Sequence, residues 1–194
     1  MFVAIELSDA VKKSLVGLSG RLRPCGAKAS WVREEHIHLT LRFLDEVGAN
    51  EGERLAAILE ERYAGTPPFA LRASGVGVFP NRRRPSVVWV GVTGARDRRG
   101  GGSDGGVAPE LLEAWRVAEE SAQSIGAPPE TKPFHPHLTL ARIRDSRQSG
   151  DLAAYLEQEH GFDGGEFPVE HVALFESTLT PRGPNHRLLK EFRF

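Results

Sequence analysis

Cysteine is almost missing from this 194-residue chain. Cys25 stands alone, so no internal disulfide can form and no thiolate set can hold zinc. That suits a reducing cytoplasm. Also missing is any apolar run long enough to span a bilayer. The opening Met1-Phe2-Val3-Ala4-Ile5-Glu6-Leu7 lacks the basic start and long apolar stretch of a secretion signal. A cytoplasmic protein with no membrane partner is expected. Charge of either sign is not in excess. The formal net charge of −1 speaks against a protein that coats nucleic acid through bulk electrostatics. A local basic patch remains open, because most of the positive charge is arginine, densest at Arg82-Arg83-Arg84. Hydrophobic content of 40 % and charged content of 26 % exclude a wholly disordered chain. The length suits one domain, or two small lobes sharing a core.

What the chain does have is one tetrapeptide written twice, His38-Leu39-Thr40-Leu41 and His137-Leu138-Thr139-Leu140. One more histidine precedes each copy at the same offset, giving His36-Ile37-His38 and His135-Pro136-His137. At strand period, His38 and Thr40 share one face while Leu39 and Leu41 share the other, and the second copy repeats the pattern. One face of each strand can enter a core. The other carries an imidazole and a hydroxyl side by side.

The remaining elements follow from periodicity. Residues 2–7 alternate as a strand. Ser8 is placed to cap a helix over 9–23 whose apolar stripe is Val11, Leu15, Leu18 and Leu22. Trp31-Val32 is extended, and the first motif strand is expected from His36 to Leu44. A second helix carries Leu55, Ala56, Ile58, Leu59 and Tyr63, and Gly65 and Pro67-Pro68 stop it. A glycine-broken strand (69–73 and 75–79) and a central strand (86–92) come next. Gly94 to Gly106, rich in glycine, arginine and aspartate, is expected to be a flexible surface loop. Pro109-Glu110 opens a helix to about Ile125 whose buried side is expected to be Leu111, Leu112, Trp115, Ala118 and Ala122. The second motif strand (137–143), a helix (151–159) and closing strands at 167–175 and 187–194 complete the chain. In each half a helix precedes the motif strand and another follows it. The order predicts an α+β fold with two pseudo-symmetric lobes, each an antiparallel sheet with helices on its outer face, forming a central cleft within a single domain, 1–194.

Two imidazoles can supply one general acid and one general base at the same pH. In-line displacement at phosphorus needs both at once: one group takes the proton of the attacking oxygen while the other protonates the leaving oxygen. Two threonine hydroxyls on the same faces could hold the non-bridging oxygens. A metal site is the rival reading, since His-x-His occurs twice. No cysteine lies near, and no carboxylate stands at a matching offset in both copies.

The segments His38-Leu39-Thr40-Leu41-Arg42-Phe43-Leu44 and Phe134-His135-Pro136-His137-Leu138-Thr139-Leu140-Ala141-Arg142 resemble the paired motifs of the 2H phosphoesterase superfamily. Within it the chain resembles the RNA 2′,3′-cyclic phosphodiesterases, formerly called 2′-5′ RNA ligases. The likeness extends to Phe2–Leu7, Trp31-Val32, Gly75-Val76-Gly77-Val78-Phe79-Pro80, Glu176-Ser177-Thr178-Leu179 and Gly183. It implies hydrolysis of an RNA-terminal 2′,3′-cyclic phosphate to a 2′-phosphomonoester with no metal and no cofactor. His38 would be the proton donor and His137 the acceptor, although the two strands are too alike locally to fix that polarity. Thr40 and Thr139 would hold the phosphate. Arg142 would pair with phosphate and Phe43 would stack on the terminal base. Strict alternation puts both on the wrong face, so either a bulge follows each threonine or the two residues are structural. His36 and His135 either orient the motif histidines or serve turns. His160 and His171 read as solvated or structural. His186 stands where relatives often carry tyrosine. The substrate would be an RNA 3′ end or a small cyclic phosphate, acted on by a monomer, and a non-catalytic binder of RNA ends is the alternative from another class.

Overall fold

The computed structural model describes residues 1–95, 107–180 and 183–194. The expected loop at 94–106 therefore lies, apart from its first two residues, outside the described ones. Nine strands and four helices are described in the order β1 (Phe2–Ile5), α1 (Asp9–Leu22), β2 (Ala29–Trp31), β3 (Leu39–Phe43), α2 (Ala49–Tyr63), β4 (Phe69–Phe79), β5 (Val87–Gly94), α3 (Pro109–Ser124), β6 (His137–Ile143), α4 (Leu152–Gln158), β7 (Asp163–Val169), β8 (His171–Thr180) and β9 (Gly183–Arg193).

The strands join into one antiparallel sheet ordered β7-β4-β5-β6-β3-β1-β8-β9, with β2 also paired to β6. The architecture is α+β, as expected. Its two halves, β7-β4-β5-β6 and β3-β1-β8-β9, each have a motif strand innermost. The halves join between β3 and β6 through the pair Leu39–Leu138. The helices are exchanged between halves. Helix α1 leaves β1 but packs on β7 and α4, whereas α3 leaves β5 but packs on β3 and α2. Each motif strand is thus tied to the opposite half by the helix that precedes it in the chain. Arg21 on α1 clamps Glu159 at the end of α4 with two hydrogen bonds of 2.6 and 2.9 Å. The Tyr63 hydroxyl at the end of α2 donates to the buried Ala114 carbonyl on α3 at 2.6 Å.

All four motif leucines belong to the core: Leu39, Leu138 and Leu140 are wholly buried and Leu41 nearly so. Each such burial contributes roughly 2 kcal/mol, so a one-residue slip of either strand would forfeit two of them and expose the core face.

Several expectations are corrected. The first motif strand begins at Leu39 rather than His36, because Glu34–His36 forms a 3₁₀ turn closed by the His36 N–H donating to the Arg33 carbonyl at 2.9 Å. The closing segment at 167–175 is two strands that part at Glu170, preceded by residues 163–166 as strand. On α3 the buried residues are Leu111, Ala114, Val117, Ala118, Glu119, Ser121 and Ala122, which leaves Leu112 exposed and Trp115 half-buried against Phe134. Strand β4 is continuous across its glycines. Gly75, at φ +68°, makes the register shift between Ser74 and Val76 that lets one strand serve both β5 and β7.

Candidate active site

A bulge follows each threonine. Along β1 and β3 the pairs run Ala4–Thr40 and then Val3–Arg42, so Leu41 is an extra residue. Along β5 and β6 they run Trp89–Thr139 and then Val88–Ala141, so Leu140 is the extra one. An extra residue resets the side-chain phase by one. Leu41 and Arg42 are consequently both buried, as are Leu140 and Ala141, and the next residue in each strand returns to the histidine face. Phe43 is 59 % exposed and Arg142 is exposed, and both line the same groove. Of the two alternatives left open by the sequence, the bulge is the one adopted.

The groove has a volume of about 1020 Å³ and takes in His38, Thr40, Phe43, His137, Thr139 and Arg142 together. All six residues named from the sequence meet there. Its other walls include His36, His186, Glu176 and the Asp45-Glu46 turn after β3.

The two motif histidines sit in different surroundings. His38 lies in a stack of near-parallel rings: Phe2 at 4.7 Å and 19°, with Phe175 beyond at 6.3 Å and 19°. His186 stands edge-on to it at 5.5 Å and 82°. Burial in this stack, then the like charge of His186, pushes the His38 ring down to about 4, with the His36 carbonyl opposing the shift. His137 meets only the edge of Phe79, at 5.0 Å and 88°. Its Nδ1 is 2.7 Å from the His135 carbonyl oxygen. A carbonyl can only accept, so Nδ1 carries the hydrogen and Nε2 keeps its lone pair. Burial is the main reason its pKa is also lowered; the hydrogen bond to the His135 carbonyl opposes the shift, and the like charges of the His135 ring and Arg142 add to it. Both upstream histidines therefore act on the motif rings through their main chains.

Behind the site, Gly77 pairs with Trp89 across β4 and β5, and a Cβ there would collide with the indole. The absence of a side chain lets Trp89 lie against Phe79, at 5.0 Å between rings, under His135. At the bulged position of β3, Arg42 is almost fully buried. Its Nε is 2.6 Å from Glu119 on α3, and its guanidinium donates to the Phe43 carbonyl at 2.9 Å and to the Pro128 carbonyl. The matching position in β6 is Ala141. Charge at one bulge and none at the other was legible as a difference between the motifs, but its role was not.

Arg82 of the basic run pairs with Glu157 at 2.9 Å in the turn between β4 and β5, and none of Arg82, Arg83 and Arg84 lines the groove. His160 Nδ1 donates to the Glu157 carbonyl, 2.7 Å away, as a structural residue would. Among the described residues, the one trio of possible metal ligands is Glu6, His171 and Glu191, and no motif histidine belongs to it. The sequence reading missed the Phe2 and Phe175 stack. The alternation of Phe2 and Ala4 on β1 was its available signal, since Ala4 pairs with Thr40.

A curled antiparallel sheet with helices on one face and two His-x-Thr strands at its centre is the architecture of a 2H phosphoesterase. The chain belongs to the LigT-like phosphoesterase family, whose model matches residues 5–89 and 104–185. A protein of Aeropyrum pernix named RNA 2′,3′-cyclic phosphodiesterase is 37 % identical over 187 residues, covering 92 % of this chain and 96 % of the relative. One of Thermotoga maritima with the same name is 32 % identical over 193 residues, 100 % of this chain and 94 % of the relative. A Thermus thermophilus protein of known crystal structure aligns at TM-score 0.77 and 27 % identity, covering 99 % of this chain and 96 % of that one. Among the described residues no helix is long and apolar enough to cross a membrane.

Proposed function

We propose that this chain opens RNA-terminal 2′,3′-cyclic phosphates to 2′-phosphomonoesters without a metal, with His38 as proton donor and His137 as proton acceptor. The observation that carries the proposal is the meeting of two imidazoles and two threonine hydroxyls, from adjacent strands, in one groove. The names borne by full-length relatives supply the substrate class.

In the proposed reaction a water attacks phosphorus and His137 Nε2 takes its proton. The P–O3′ bond breaks, and His38 delivers a proton to the departing O3′, leaving a free 3′-hydroxyl and a 2′-phosphate. Thr40 and Thr139 donate to the non-bridging oxygens, Arg142 pairs with the phosphate, and Phe43 offers an exposed face to the terminal base. In the unliganded site both imidazoles are held towards the neutral form. A neutral His38 cannot give a proton, so the anionic phosphodiester must be what charges it: an opposite charge within a few ångströms raises an imidazole's pKa. Free-enzyme kcat/KM should then follow a bell against pH with its maximum below 6.5. A profile flat from pH 5 to 8 would exclude histidine acid–base chemistry.

The direct test is incubation with a cyclic-phosphate-ended oligonucleotide and with a cyclic mononucleotide, both in excess chelator. Turnover of the oligonucleotide to a 2′-phosphate is the expected result. A 3′-phosphate product would reverse the assignment of leaving oxygen. Turnover of the mononucleotide alone would move the substrate to small cyclic phosphates. Turnover of neither would leave a binder of RNA ends, and loss in chelator restored by zinc would point to a metal.

A further inference from the structure

The scheme above leaves a third imidazole unused in the wall of the groove. His186, on β9 opposite Ser177 of β8, presents its ring edge-on to three others: Phe2 at 4.9 Å and 80°, His36 at 4.8 Å and 82°, and His38 at 5.5 Å and 82°. It stands across the side of the stack in which His38 lies. Its Nδ1 is buried with no hydrogen-bond partner among the described residues. A ring in that place does more than fill space, because it is a second titratable group in contact with the first.

We propose that His186 is a positioning residue for His38: it closes the open side of the Phe2–His38 stack, and its charge decides when His38 can take up a proton. This rests on the function proposed for His38.

The neighbouring charges fit such a hierarchy. His36 is held by Arg33, whose Nη2 is 2.8 Å from His36 Nε2. Arginine can only donate, so that nitrogen accepts and His36 is neutral while the contact lasts. Arg33 also lies 3.2 Å from Glu35, which tempers its field. Lys12 on α1 adds positive charge on the His38 side. β8 contributes Glu176 to the groove wall, already engaged by Arg187 at 2.9 Å. Asp45 and Glu46 face the groove from the turn after β3, and His137 and Arg142 face it from β6. Burial, and the charge of His36 once its contact with Arg33 is lost, disfavour charge on His186, and His186 when charged disfavours charge on His38. His36 and His38 each meet His186, so charging all three imidazoles together is disfavoured, and His38, the most enclosed, is the last to accept a proton. His137 has its own positive neighbours in the His135 ring and Arg142, but the ring that meets it edge-on is the uncharged Phe79.

The test replaces His186 by phenylalanine, which keeps a ring and removes the charge. With the protein labelled at histidine, the His38 ring is titrated by NMR in the absence of substrate. Two like charges about 5.5 Å apart in a partly solvated wall should separate their titrations by roughly one pH unit. The His38 midpoint in H186F is therefore expected to rise by about that much, with the His137 midpoint unmoved. An unchanged His38 midpoint overturns the proposal. Should H186F fail to fold, H186N carries the same expectation. The pH–rate profile gives a second reading. The acid limb, which the harder-to-charge ring sets whichever role it plays, should move upward in H186F. A merely structural His186 would lower activity at every pH with both limbs fixed, and that too overturns the proposal. Failure of the proposed function would show instead as no turnover by the unaltered protein, while the NMR titration would remain readable.

Discussion

The two copies of His-Leu-Thr-Leu are identical in sequence and in the bulge that follows them, yet their surroundings divide them. His38 is stacked with Phe2 and Phe175 and bordered edge-on by the His186 imidazole, whereas His137 is fixed by one carbonyl and touched by the edge of Phe79. Past the bulge the contrast continues, with an exposed phenyl ring in one strand and an exposed guanidinium in the other. A symmetric frame has been given two different walls. That is what a reaction with one acid and one base requires: equal placement about phosphorus and unequal proton affinity.

The largest effect that could break this comparison is kinetic. H38A and H137A should each lower turnover by about 10²–10⁴ while leaving the fold intact. If one of them retained near-normal turnover, the pairing of roles would be lost.

Next in size is the buried ion pair found only in the first copy. R42A leaves Glu119 buried without its partner and should cost about 3–5 kcal/mol in chemical denaturation. A cost near zero would mean that solvent reaches the pair and that α3 is not anchored through it.

Acid titration separates the two rings through stability. The unfolded chain takes up imidazole protons as pH falls through about 6.5, while folded His38 resists until about 4. The stabilisation is therefore whole above 6.5 and is lost as pH falls towards 4, amounting to roughly 3 kcal/mol from His38 alone. H38N should flatten the acid decline of thermal stability more than H137N does. Equal slopes would show that the aromatic stack does not set the difference.

The smallest effects concern the two residues turned by the bulges. R142Q should reduce kcat/KM by about 10- to 100-fold through loss of a charge-assisted contact with phosphate. F43A should raise KM by roughly 5- to 100-fold on an oligonucleotide, the range expected for one stacked base. If F43A acted instead on folding, with KM unmoved, Phe43 would be a structural ring despite its exposure.

Much of this could be read without coordinates. The repeat located both histidines and both threonines, because strand period alone puts them on one face and the leucines on the other. The helices followed from their apolar stripes with small errors at the ends, Leu112 being the one residue assigned to the wrong side. Arg142 and Phe43 could be read only as alternatives. A bulge is a property of two paired strands, and neither strand carries a mark of the extra residue in its own sequence. The boundary at Glu170 escaped for a similar reason, since the polar Glu170-His171 pair within 167–175 also fits a continuous strand and no glycine or proline stands where the chain changes partner.

The sequence by itself determined that two equivalent strands would bury leucines and offer an imidazole and a hydroxyl on the other face, since alternation and hydrophobicity are local properties. Only the tertiary structure decided that the strands would be neighbours, that Leu41 and Leu140 would be extra residues, and that His38 would be harder to charge than His137. Those outcomes depend on which strands pair and which rings meet, and a proton's affinity is set by surroundings gathered from β1, β8 and β9, far apart along the chain.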